Sequence, residues 1–112
     1  MMDCIFCKIA LKEVKSTIVY EDNDIIAFND LNPQAPVHIL IVPKKHINSL
    51  IDANEEDITL LGKLNYTSKI IAEKLKISNF RIVSNCGSKA GQSVFHIHYH
   101  FMAGRRFIWP PG

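Results

Sequence analysis

The sequence predicts an α+β domain built on an antiparallel sheet. Short strand-like runs occur at both ends of the chain, one long stretch with helical spacing separates them, and a strictly alternating segment runs from Phe95 to Met102. Strand-rich halves flanking a single long helix define the class.

The elements follow in order. Cys4 to Glu13, with apolar residues at Ile5, Phe6, Ile9 and Ala10, predicts a short amphipathic helix. Thr17 to Tyr20 and Ile25 to Phe28 predict two strands, joined by the turn-forming Glu21-Asp22-Asn23-Asp24. Two close prolines make Asn32-Pro33-Gln34-Ala35-Pro36 a loop. A mostly β-branched strand, His38 to Val42, ends at Pro43. Asn54 followed by Glu55, Glu56 and Asp57 opens the long helix with a capping residue and acids in its first turn, and the helix runs to about Leu75. Leu61, Leu64, Ile71 and Leu75 form its core stripe. Tyr66 and Ile70 point elsewhere, a surplus of apolar surface that calls for a second packing partner. Phe80 to Asn85 and Phe95 to Met102 complete five strands.

Nothing divides the chain: residues 1–112 read as one domain, without repeats, low-complexity tracts or linkers. A formal charge of +2 and the lack of any block of like charges speak against a nucleic-acid or membrane surface. Met1 to Lys8 carries Asp3 and has no sustained apolar stretch, so no export signal is expected. Three cysteines, an odd number, argue against a disulfide framework and for a reducing, cytoplasmic setting.

Of five histidines, three fall at His96, His98 and His100. A strand has a side-chain period of two, so all three project from one face, while Phe95, Ile97, Tyr99 and Phe101 fill the other. Adjacent imidazoles are poor sheet formers and repel once more than one is charged, so some function must compensate. Two blander readings stand beside a catalytic one. The strand could simply face solvent, or the row could hold a metal, although positions 96 and 100 lie about 6.5–7 Å apart along a strand. Upstream, Asn85-Cys86-Gly87-Ser88-Lys89-Ala90-Gly91-Gln92-Ser93 has the composition of a loop that lays backbone N–H groups against an anion. A phosphate held there would lie within reach of His98. Cys4-Ile5-Phe6-Cys7 is a Cys-x-x-Cys pair outside any βαβ context, which favours zinc over redox chemistry. Tetrahedral zinc needs two further ligands, and His46 and His96 are candidates; the alternative is two ordinary half-buried thiols.

His96-Ile97-His98-Tyr99-His100-Phe101-Met102 resembles the His-φ-His-φ-His-φ-φ signature (φ apolar) of the histidine-triad (HIT) superfamily. Asp30 to Pro36, Pro43-Lys44-Lys45-His46, Gly91-Gln92-Ser93-Val94 and Trp109-Pro110-Pro111-Gly112 resemble its Hint branch, the histidine-triad nucleotide-binding proteins. That resemblance implies a purine-nucleotide-binding hydrolase that cleaves the P–N bond of nucleoside 5′-phosphoramidates, adenosine preferred, through a covalent nucleotidyl-histidine. It implies His98 as nucleophile, His100 as phosphate contact, His38 as a hydrogen-bond partner of the nucleophile, and Ser93 beside the leaving group. Asn85, Gly91, Gln92 and Val94 would lie on the phosphate side and Asp30 would grip the ribose. Ile5, Phe6, Ile9, Phe28, Leu31 and Leu40 would form the purine slot. It also implies structural zinc on Cys4, Cys7, His46 and His96, a homodimer with a ten-stranded sheet, and Trp109 reaching toward the partner's site. A nucleotide-binding scaffold without turnover and a dinucleoside polyphosphate hydrolase are the competing functions.

Overall fold

The computed structural model describes residues 3–112; Met1 and Met2, where the segment read for an export signal begins, lie outside it. The elements are α1 (Ile5–Ala10), β1 (Ile18–Glu21), β2 (Ile25–Asn29), β3 (Val37–Pro43), α2 (Ile58–Leu75), β4 (Phe80–Val83) and β5 (Tyr99–Ala103). The strands form one antiparallel sheet in the order β1-β2-β3-β5-β4, the five expected.

Strand alternation sorts this sheet into two faces. Ile25, Ala27, Ile39, Ile41 and Phe101 point to the side packed against Leu64 and Ile71 of α2. Ile26, Phe28, Leu40 and Val42 point to the other, where Phe6 and Ile9 of α1 cover them. His38 and His100 share the parity of Leu40, and Leu40 pairs directly with His100 in the register. The second face therefore carries the His38 and His100 side chains on adjacent strands.

The expected α2 is present. Its entry is a 3₁₀ turn at Glu55–Asp57, where the Asp57 carboxylate accepts from the Asn54 N–H at 2.9 Å and from Lys45 Nζ at 2.6 Å. Lys76, at φ 57°, ends it in the left-handed conformation. Leu64 and Ile71 are fully buried, but Leu75, at the helix end, is exposed. Tyr66 also lies open, 58% exposed.

Three boundaries differ from expectation. α1 stops at Ala10 and not Glu13, because Lys12 takes φ 64° and the Glu13 and Val14 N–H groups both turn back to the Lys8 carbonyl. β4 stops at Val83, its last partner being His100. Most consequentially, β5 begins at Tyr99 and not Phe95. Its partner β3 pairs no further than Ile41↔Tyr99, and the Ile97 N–H leaves the ladder for the Ile47 carbonyl at 2.8 Å. Only His100 therefore sits in the sheet. Phe95, expected in the core, is 49% exposed, while His96 and His98 are buried in the bent approach to the strand.

Candidate active site

The bend before β5 fixes the chemistry of His98. Its Nδ1 donates to the His96 carbonyl oxygen at 2.8 Å, since a carbonyl only accepts. In the neutral ring Nε2 then carries the free lone pair. The residue is buried at 6% exposure, and Nε2 has no partner. Among the described residues no buried side-chain N or O lacks a partner, so Nε2 must reach solvent. Burial pushes the imidazole below its ordinary pKa, which keeps that lone pair available at neutral pH.

His100 is set by a different chain of hydrogen bonds. The Gln34 backbone N–H donates to His38 Nδ1 at 2.9 Å, so the neutral His38 ring carries its proton on Nε2. That Nε2 donates to His100 Nδ1, also at 2.9 Å, which leaves the His100 proton on Nε2 as a donor. Burial, together with His98 and His38 nearby, pushes His100 down to about 4. Asp30 lies beside this chain, one carboxylate oxygen 3.4 Å from His38 Nε2 and the other accepting from the Asn32 N–H at 2.8 Å. The resemblance implies His38 on the nucleophile; the structure puts it on His100, because β3–β5 pairing faces Leu40 to His100 and sets His38 beside them on the same face.

Both histidines open into a pocket of about 280 Å³. Its walls include Ile5, Phe6, Ile9, Phe28, Asp30, Leu31, Leu40, Ser93 and Val94, as expected from the sequence. Phe6 meets the His98 ring edge to face at 5.0 Å and the Phe28 ring at 5.6 Å. Val14, Lys15, Ser16 and Asn29 also line it, and sequence reading missed them. The turn after α1 carries the first three there; nothing in their residue types signals it.

The glycine loop works differently from the expectation. Gly87 and Gly91 adopt φ of 92° and 106°, values that require glycine. Yet the N–H groups of Ala90, Gly91 and Gln92 are spent inside the loop, on the carbonyls of Gly87, Ser88 and Gly87. The Gln92 side chain is buried, accepting from Gly87 N–H at 2.8 Å and donating to the Asn48 and Val94 carbonyls at 2.7 and 3.1 Å. Gln92 is thus the pin of the loop. Among the described residues, Ser93 and Val94 line the pocket with backbone N–H groups that are left without a partner. Asn85 and Gly91 lie side by side outside the pocket lining, and Trp109, 81% exposed, lies away from it too.

Cys4, Cys7, His46 and His96 do converge, their ligand atoms all within 4.8 Å of one another. Cys4 Sγ lies 3.3 Å from His96 Nδ1, and Cys7 Sγ lies 3.3 Å from His46 Nδ1 and 3.6 Å from His96 Nδ1. Tetrahedral zinc with bonds of about 2.3 Å to sulfur and about 2.05 Å to nitrogen would set S···N near ~3.6 Å. The outer contacts agree. His96 Nε2 donates to the Pro43 carbonyl at 2.7 Å and His46 Nε2 to Asn48 Oδ1 at 2.6 Å, so both rings turn an Nδ1 lone pair inward. Burial and the Cys4 thiol push Cys7 up to about 11, so cation binding there must expel protons. Asp30, His38 and His100 cluster as closely, but there the Gln34 N–H forces the proton onto His38 Nε2, the atom a metal would need free. The donor set fits a metal at the first cluster and not at the second.

An imidazole with a solvent-reachable lone pair lines an apolar pocket on a five-stranded antiparallel sheet, an arrangement suited to holding a small ligand. The chain belongs to the histidine-triad family. The family model described as "Scavenger mRNA decapping enzyme C-term binding" matches residues 3–106. Among curated relatives, a 14 kDa zinc-binding protein of Brassica juncea is 49% identical over 113 residues, covering 98% of this chain and 100% of that one. The Arabidopsis thaliana protein named Adenylylsulfatase HINT1 is 48% identical over 111 residues, covering 96% of this chain and 76% of that one. A HIT family hydrolase from Legionella pneumophila superposes with a TM-score of 0.95 at 46% identity, covering 98% of this chain and all of that one.

Proposed function

We propose that the protein is a hydrolase of purine nucleoside 5′-phosphoramidates, with adenosine preferred. The observation that carries this reading is the hydrogen bond from His98 Nδ1 to the His96 carbonyl, which leaves the lone pair of the other ring nitrogen free for attack. The purine would lie among Ile5, Phe6, Ile9, Phe28, Leu31 and Leu40, the ribose hydroxyls against Asp30, and the phosphate against the Ser93 and Val94 N–H groups. His98 Nε2 attacks phosphorus, an N–P bond forms, and the bond to the amine breaks. Donation from His100 Nε2–H meets the charge on the phosphoryl oxygens. Water then attacks the same phosphorus and the electron pair returns to Nε2. Over the two steps the oxygen of water ends on phosphorus, while the amine takes up two protons from solvent, the first as the P–N bond breaks, and water returns two, giving nucleoside monophosphate and an ammonium product.

Zinc held by Cys4, Cys7, His46 and His96 would supply a structural crosslink, with all four positions filled by protein. The relatives named as zinc-binding support that reading. In a homodimer, Trp109 would be free to approach the partner's pocket, as its exposure allows.

The Arabidopsis relative's name favours a second reading, in which sulfate is the leaving group from the same phosphorus. Turnover of adenosine phosphoramidate, adenosine 5′-phosphosulfate and a dinucleoside polyphosphate, measured side by side, separates these readings. The phosphoramidate should have the highest kcat/KM. Tight AMP binding without turnover of any of them would make the protein a nucleotide sensor.

A further inference from the structure

We infer that the Cys4–Cys7–His46–His96 cluster is a positioning device for the nucleotide site, so that metal loading sets nucleotide affinity and reaction rate together. The inference rests on the zinc and nucleotide readings above. Its structural basis is that His96 belongs to both sites. Its Nδ1 faces the two cysteine sulfurs, its Nε2 is tied to Pro43 at the end of β3, and its carbonyl holds His98 Nδ1 at 2.8 Å. His96 lies outside the ladder that fixes β5, so these side-chain ties, together with the Ile97 N–H bond to the Ile47 carbonyl on the same peptide, hold the carbonyl in place.

The pocket wall leads to the same cluster. α1 has six residues, far below the length at which a helix is stable alone. Cys4 caps it and Cys7 lies inside it, so two of four metal ligands bracket Ile5 and Phe6. The Phe6 ring touches His96 at 5.9 Å and His98 at 5.0 Å. A metal bound by Cys4, Cys7, His46 and His96 therefore ties the base-slot wall, the carbonyl that sets the His98 tautomer and the strand beneath them to one point. Without it, the four donor atoms are joined to one another only through thiol protons. Exchange has a route, because Cys7 and His46 line a surface cavity of about 620 Å³ that no triad histidine lines.

The test uses the full chain, zinc-loaded and chelator-stripped, with zinc chloride and AMP as probes. Folding of the stripped protein is checked by circular dichroism. We expect zinc removal to weaken AMP binding by roughly 5–150-fold, and AMP to tighten zinc binding by the same factor, as linkage demands. Nitrogen-15 NMR should show His98 protonated on Nδ1 in the loaded protein and a tautomer mixture in the stripped one. Zinc-loaded Leu64→Ala is the control, since it destabilises the far side of the sheet; should it not fold, Ile71→Val replaces it. This control should keep both the AMP affinity and the His98 tautomer, which general destabilisation would alter. Protein that takes up no zinc overturns the inference together with the zinc reading. Loaded protein that binds no AMP overturns it together with the nucleotide reading. If both bind, yet stripping leaves AMP affinity and tautomer unchanged, the positioning role alone is wrong.

Discussion

Nε2 of His38 lies 2.9 Å from Nδ1 of His100, so the upstream histidine orients the last member of the triad and not its middle one. His38→Leu should therefore lower kcat by disordering His100, on the order of 10–10²-fold, the scale of a slightly misplaced group. His38→Gln, which keeps a donor, should be milder. His100→Ala removes the donor itself and should cost about 10²–10³ in rate. Steady-state kinetics of the three variants check the order; a His38→Leu defect larger than that of His100→Ala would place His38 on the nucleophile.

Zinc should be present at one equivalent per chain in protein purified without chelators, as elemental analysis will read. A ligand at 100 times its Kd adds about 2.7 kcal/mol, which for a domain of this size is roughly 10 °C in Tm. Stripped protein should melt at least that much lower, and Cys7→Ser should match it. An unchanged melting temperature on adding zinc would remove the metal from the account.

Acid should destabilise the fold through His100. Its pKa is held at about 4 in the folded chain against 6.5 for a free imidazole. Between those values the unfolded chain binds a proton that the folded one refuses, so stability falls as pH drops through that window and levels off below it. In His100→Asn the slope of Tm against pH over pH 6.5 to 4 should be shallower, contributions from the metal ligands being common to both proteins. Equal slopes would mean that His100 is not held neutral.

The exposed side of α2 predicts association. Tyr66 is 58% and Ile58 65% exposed on a helix whose other face is fully packed. Light scattering at micromolar concentration should return about twice the chain mass of 12.7 kDa. Tyr66→Lys should shift that mass toward the monomer. A clean wild-type monomer would also end any role for Trp109 in a neighbouring site.

The sequence was legible where period and chemistry coincide. The alternation around His100 gave its face correctly, and the apolar positions of α1 and β2 marked the slot. It misled where tertiary contacts overrode local pattern: Ile97 pairs with Ile47, so the alternation begun at Phe95 never enters the sheet. Gln92 has the composition of a ligand contact, yet three internal hydrogen bonds consume its side chain. The Cys-x-x-Cys pair was visible, but only the fold brings His46 and His96, 39 and 89 positions from Cys7, within reach of it. Lys15 and Ser16 reach the pocket through a turn whose geometry depends on the positive φ of Lys12, and no residue type announces that.

The central claim is that His98 Nε2 forms a bond to phosphorus. The direct measurement is the mass of the triad peptide after acid-free quenching of enzyme mixed with excess adenosine phosphoramidate. The account predicts one added adenylyl group on His98 in the wild type, none in His98→Ala, and AMP binding largely retained in that variant, because the slot, Asp30 and the Ser93–Val94 amides remain. Wild-type turnover by His98→Ala, or an adduct on another residue, would contradict it.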